Sequence, residues 1–363
     1  MIDAPRPADS RPRFAARVDD WVHRRREKRA RSRGKTPGVI PYIGYGSTEW
    51  VRVLGRVLYL RPEEPEQPAK PKRKRRILLR RRQRPDVAQV SRVRGWRSFT
   101  SLHAPHQRVR VSIDGEHVTE VVSDRGGVID SIVRVSLAPG WHTVSLQTGA
   151  GEPVEAPVYI VDPSARFGVI SDVDDTILNT ALPKPLVAAW NSFVVDEHAR
   201  TSTPGMPVLY DHLMAQHPGA PVIYLSTGAW NVAPALSRFL ERNLYPMGPL
   251  LLTDWGPTHD RWFRSGQEHK LRELDRLAGE FPEVQWVLFG DDGQHDESLY
   301  QEFAQQHPGS VAAVAIRQLS TGQAVLVGGR SKAGMHRKAN GVPWVYGSDG
   351  ATLREELKGL GLL

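Results

Sequence analysis

The chain has 363 residues and a mass of 40.6 kDa, which at roughly 150 residues per domain suggests about two domains. Its 40% hydrophobic and 25% charged residues exclude global disorder, collagen and coiled-coil designs, and no apolar run approaches the ~20 residues that span a bilayer. Cysteine is absent, so disulfides, thiolate zinc sites, iron–sulfur clusters and a cysteine nucleophile are out. The N-terminus MIDAPRPADSRPRF has no apolar core for a secretory signal, and a cytoplasmic chain is expected, with peripheral contact to a membrane left open.

Charge is divided along the chain. Residues 1–100 hold 28 Lys and Arg against 10 Asp and Glu, a net of +18, whereas the remainder nets −9. The basic front suits a phosphate-rich surface, lipid or nucleic acid; the acidic back suits a divalent cation.

Residues 1–37 read as a basic arm, with Arg17 to Lys28 able to form a basic helix. A β-rich unit is expected over 38–162, with strand formers from Ile43 to Leu60 and a Pro-rich, then basic, loop at 61–84. Arg108–Ile113 alternates, Asp114-Gly115 is a hairpin signal, and His117–Val122 answers it. Ser131–Leu137, His142–Gln147 and Val154–Val161 continue the pattern, which suggests a small β-sandwich-like domain. From 163 to 325 the rhythm turns to strand–helix–strand. Strands are expected at Phe167–Ser171, Pro221–Ser226, Pro249–Thr253, Val284–Gly290 and Val311–Ile316, with helices near Pro207–Gln216, Val232–Leu244, Gln267–Phe281 and Glu297–Gln306. Apolar strands without alternation belong to a parallel sheet covered on both faces, whose sites lie at the strands' carboxyl ends. A C-terminal extension, 326–363, carries a short helix at Thr352–Leu360.

Chemistry collects at those ends. Asp172-Val173-Asp174-Asp175-Thr176 follows the first strand, and three carboxylates in four residues call for a cation. Alternation points Asp172 and Asp174 to one side, as two oxygen ligands for Mg²⁺, and one carboxylate can attack a phosphate held there. Ser226-Thr227-Gly228 follows the second strand and offers hydroxyls to a phosphoryl oxygen. Gly290-Asp291-Asp292-Gly293-Gln294-His295-Asp296 follows the fourth. Asp291 can reach the cation of Asp172; Asp292, His295 and Asp296 either support the ligands from behind or start the next helix, with Asp296 as its N-cap. Lys270 sits on a helix where its cation can neutralise nucleophile and phosphate together.

D-x-D-x-T, a Ser/Thr after the second strand, a downstream Lys and G-D-x4-D resemble the haloacid dehalogenase superfamily of phosphohydrolases. The segments SDVDDTILNT, PGMPVLYDHL, YLSTGAW, FLERNLYPMGPLLLTDW, HKLRELDRL and FGDDGQHDESLY resemble the actin-patch type phosphatidate phosphatase catalytic-domain family in its bacterial form, over about residues 165–320. The resemblance implies a Rossmann-like haloacid-dehalogenase-type α/β sheet. It implies Asp172 as nucleophile and Asp174 as general acid/base, which also lends a backbone carbonyl to Mg²⁺. Ser226, with Thr227 beside it, and Lys270 would bind phosphate, and Asp291 would complete a metal site of Asp172, Asp174 and Asp291. Gly228-Ala229 and Asp292 depart from the family's Ser-Pro and Ser. The implied reaction is Mg²⁺-dependent hydrolysis of phosphatidate to diacylglycerol and phosphate. Alternatives are a soluble phosphomonoester, a nucleic-acid end, or a non-catalytic protein that binds anionic surfaces.

Overall fold

The computed structural model describes residues 13–61, 102–149, 151–179, 201–253, 262–293, 296–320 and 341–363. The expected basic loop at 61–84, beyond Arg61 itself, lies outside these residues, as does His295.

The first unit opens with helix α1 (Arg13–Ser32). Eight strands follow: β1 (Thr36–Pro41), β2 (Gly44–Ser47), β3 (Trp50–Leu60), β4 (Arg108–Ile113), β5 (Glu116–Val122), β6 (Val128–Arg134), β7 (Gly140–Thr148) and β8 (Val154–Ile160). They form one hydrogen-bonded path, β1-β3-β2-β8-β7-β4-β5, with β6 paired to β3. The boundary expected at residue 37 falls inside β1. Asp114 and Gly115 both take positive φ, 50° and 89°, the two-residue turn that matches the strand twist and fixes Ile113 opposite Glu116.

Strand β3 is buried on both faces. Val51, Val53, Val57 and Tyr59 enter a core with Val109, Val111, Ile129, Val144, Leu146 and Ile160. Leu54 and Leu58, on the alternate face, enter the core of the second unit. Tyr42 stacks on Trp230 at 4.9 Å and donates to its carbonyl at 3.1 Å, while Tyr159 donates to the Gly219 carbonyl at 2.7 Å. The two units thus share a hydrophobic core.

The second unit runs β9 (Phe167–Asp172), α2 (Met206–Gln216), β10 (Val222–Ala229), α3 (Ala233–Arg242), β11 (Leu250–Thr253), α4 (Trp262–Glu280), β12 (Gln285–Asp291), α5 (Asp296–Gln306), β13 (Val311–Arg317), β14 (Trp344–Gly347) and α6 (Gly350–Gly359). Its six strands are all parallel, in the order β11-β10-β9-β12-β13-β14. The chain therefore winds outward from β9 on one side and from β12 on the other. The winding reverses between β9 and β12, and sheets of this kind bind their ligands outside the carboxyl ends of the strands at that point. The C-terminal segment contributes the sixth strand, β14. The Asp349 side chain caps α6 by accepting from Thr352 N at 2.9 Å. Mixed α/β architecture, with one parallel sheet and one largely antiparallel sheet, is what the sequence pattern requires.

Candidate active site

Asp172 ends β9 and Asp291 ends β12, so the switch point brings two carboxylates together from strands 119 residues apart. Helix α4 crosses behind them and supplies Lys270. Its ammonium donates to Asp172 Oδ1 at 2.6 Å and to Asp296 Oδ1 at 2.7 Å. All three side chains are buried. A buried ammonium between two carboxylates is tightly held, because removing any partner would strand a charge away from water.

Asp296 begins α5 and its Oδ2 accepts from Asp291 N at 3.3 Å. Gly290 permits this approach: a Cβ there would meet Asp296 Oδ2 at 2.8 Å and Tyr300 Cε2 at 2.7 Å. Oxygens of Asp172, Asp291 and Asp296 all lie within 4.8 Å of one another. Burial, then the neighbouring Asp296 charge, push the Asp172 carboxyl well above its usual range, against the pull of Lys270. Asp291 is raised by burial and by Asp296 and Asp172. Burial works against the Lys270 ammonium, but Asp172 and Asp296 outweigh it and hold the charge.

Asp174 occupies a second position. Its Oδ2 accepts from Ser226 Oγ at 3.2 Å, and Ser226 Oγ in turn accepts from Gly228 N at 3.0 Å. Asp174 Oδ1 is out of solvent with no hydrogen-bond partner. Burial first, then Asp175, raise its pKa to about 7, with Lys270 and the Ser226 bond opposing. Such a group is poised to give or take a proton near neutrality.

The loop between is braced from several sides. Tyr210 donates to Ser171 Oγ at 2.7 Å, which donates to the Asp172 carbonyl at 2.7 Å. Asp175 takes a left-handed φ of 55°, and buried Arg317 at the end of β13 donates to its carbonyl and, at 3.2 Å, to Asn179 Oδ1.

The structure thus gathers Asp172, Lys270 and Asp291, and sets Ser226 against Asp174. The Asp174 carboxylate stands outside the acidic trio, whose third member is Asp296. Asp292 turns away: its Oδ1 accepts from Leu319 N at 2.7 Å. Thr227 presents its methyl toward Gly266 on α4, and its carbonyl accepts from Thr253 Oγ1 at 3.0 Å.

These features define a parallel α/β protein with a lysine-bridged acidic site at its topological switch point. Residues 167–318 match the family model described as phosphatidate phosphatase APP1, catalytic domain. Phosphatidate phosphatase APP1 of Saccharomyces cerevisiae is 26% identical over 185 residues, 49% of this chain and 31% of that protein. The chain thus spans about a third of the length of that curated relative. Among solved structures, a beta-glucuronidase of Parabacteroides merdae covers 79% of this chain and 34% of its own at 11% identity and a TM-score of 0.25. A 2,6-sialyltransferase of Vibrionaceae Photobacterium sp. JT-ISH-224 covers 71% and 53% at 8% identity and a TM-score of 0.22. Overlaps this weak carry no argument.

Proposed function

We propose that the chain is a Mg²⁺-dependent phosphomonoester hydrolase, of haloacid-dehalogenase type, acting on phosphatidate. The observation that carries this is the Lys270 ammonium bridging Asp172 and Asp296 beside Asp291 at the switch point. We read the parallel sheet as Rossmann-like, 163–325 as the catalytic unit with β14 added to its sheet, and 38–162 as a β-rich, sandwich-like partner domain. A cytoplasmic protein that visits an anionic membrane peripherally fits this reading. Among the described residues, no helix is long and apolar enough to cross a membrane.

The residues fit a hard cation. Buried Asp172 and Asp296 and the half-buried Asp291 bring carboxylate oxygens within 4.8 Å of one another, with the Lys270 ammonium held between two of them, and oxygen-only donor sets suit Mg²⁺. Asp172, Asp291 and Asp296 supply candidate oxygens, directly or through water, with the Asp174 main chain beside them. A bound cation would neutralise charge on the phosphoryl oxygens.

The chain's own groups then divide the work. Asp172 attacks phosphorus in line and forms an aspartyl-phosphate, while the diacylglycerol oxygen leaves with a proton from Asp174. Water, deprotonated by Asp174, then attacks the phosphorus and releases phosphate, restoring the Asp172 carboxylate. Ser226 holds Asp174 in place and, with Lys270, offers donors to phosphoryl oxygens. Lys270 lowers the cost of bringing a dianionic phosphate up to a carboxylate.

The decisive experiment measures phosphate release from phosphatidate in detergent micelles and from a water-soluble phosphomonoester, with Mg²⁺ and with EDTA. Turnover of phosphatidate that EDTA abolishes and Mg²⁺ restores is expected. Full turnover in EDTA would remove the metal from the reading, and hydrolysis of the soluble ester alone would remove the lipid.

A further inference from the structure

We propose that the outward face of α1 is a docking surface for an anionic lipid bilayer. The inference deepens the reading above and rests on it only for why this chain would visit a membrane.

Helix α1 is seated on the β-rich unit by one face. Ala30 is buried in that unit's core, and the His23 ring stacks on His103 at 4.2 Å. Glu27 Oε1 accepts from Tyr59 OH at 2.6 Å and from Arg31 Nη2 at 2.8 Å, and Arg31 Nε donates to Tyr59 OH at 3.2 Å. These contacts fix the helix's rotation, so the opposite face cannot turn inward.

Trp21, Arg24, Arg25, Lys28 and Arg29 stand on that opposite face, spaced i, i+3, i+4, i+7 and i+8. All five are exposed, and Trp21 is 52% exposed. The Arg25 guanidinium lies 4.4 Å from the centre of the Trp21 ring. The solvent-facing surface therefore joins four cations to a large indole. Four like charges on one stripe repel one another unless an anionic surface meets them. The indole adds a second preference, for a bilayer's interfacial region, where tryptophan concentrates. A nucleic-acid duplex would satisfy the cations but keeps its bases stacked on one another and out of the indole's reach, whereas a bilayer interface engages both, so lipid is the occupant the face favours.

The test uses the full chain with vesicles of phosphatidylcholine, with and without phosphatidylserine, at low and high salt. The variant R24Q/R25Q/K28Q/R29Q neutralises the stripe; W21S removes the indole. Wild type should sediment with the phosphatidylserine vesicles only. Each cation near an anionic surface is worth about fivefold in binding, so the quadruple variant, which loses four, should bind roughly several hundredfold more weakly at low salt. That deficit should shrink at high salt, since screening removes what the charges supplied. W21S should weaken binding at both salt concentrations. Both variants should turn over a soluble phosphomonoester at the wild-type rate, which verifies their fold. Unchanged vesicle binding by the quadruple variant would overturn the proposal, as would a wild type that ignores phosphatidylserine vesicles or that a DNA duplex, added to the same samples at equal charge, strips from them. Phosphatidylserine binding is scored without turnover. Failure to hydrolyse phosphatidate would therefore count against the proposed reaction and leave the docking result standing.

Discussion

Asp172 and Asp174 are two residues apart, yet their surroundings differ. Asp172 is clamped by Lys270, while Asp174 sits against Ser226 with a pKa near 7. Asp172→Asn should show no covalent phosphoprotein and no turnover above background, since an amide cannot form the acyl-phosphate. Asp174→Asn should slow both steps by roughly 10²–10⁴, the usual share of general acid–base catalysis, and let phosphoprotein accumulate. Rapid-quench trapping with labelled substrate separates the two; phosphoprotein in Asp172→Asn would place the nucleophile elsewhere. The D-x-D-x-T motif made this pair legible in sequence. Asp296 was ambiguous because an aspartate at a helix start serves equally as N-cap and as ion-pair partner, and only the arrival of Lys270 from α4 decides. Asp292 was ambiguous for the same reason, and the Leu319 amide claims it. Arg317 gave no signal, since one arginine ending an apolar strand looks like any solubilising charge.

At the scale of elements, α4 links the site to the β-rich unit. Lys270 lies on the helix that also carries Glu273, Arg276 and Glu280. Arg52 of β3 meets Glu280 Oε1 at 3.0 Å and Asp130 Oδ1 at 2.6 Å, and Tyr45 donates to Glu280 Oε2 at 2.8 Å. Arg276 pairs with Glu273 and lies 3.7 Å from both Asp130 and Glu280. The Arg52 and Glu280 side chains are only 11% and 13% exposed, so this pair is shielded from salt and water. Arg52→Met should cost about 3 kcal/mol in urea unfolding, because Glu280 is left half-compensated. In the cycle with Glu280→Gln, a coupling of about 1 kcal/mol or more is expected. Additive losses would mean that the pair contributes nothing beyond its separate contacts. The strands and helices of the parallel unit were readable because apolar runs and helical spacing alternate cleanly. What periodicity could not give was the double burial of β3. A strand apolar on both faces reads as one half-buried strand until Leu54 and Leu58 find a second core. Strand β14 is four residues long and gave too little pattern to be named.

For the whole molecule, stability should depend on keeping two imidazoles neutral. His269 on α4 is pushed down to about 3 by burial and by the Arg272 and Arg276 cations. Its Nδ1 lies 3.1 Å from Arg272 Nη2, a contact in which only the guanidinium can donate, so the ring nitrogen must be unprotonated. His103, stacked against His23 beneath α1, is pushed down to about 4 by burial and then by the His23 and Arg56 charges. Unfolded imidazoles titrate near 6.5. Between that value and the folded ones the unfolded chain binds protons that the folded chain refuses, so these residues' contribution is intact above pH 6.5 and lost as the pH falls. The raised carboxyls of Asp172 and Asp291 act in the opposite sense, losing stability as the pH rises, and the measurement must cancel them. Comparing wild type with His269→Gln and with His103→Gln does so, because those carboxyls are common to all three. Between pH 7.5 and 5.5, wild type should lose roughly 1–1.5 kcal/mol more than either variant in urea unfolding. Parallel losses in all three proteins would show that the rings are already charged in the folded state, and the seat of α1 and the packing of α4 would then need another account.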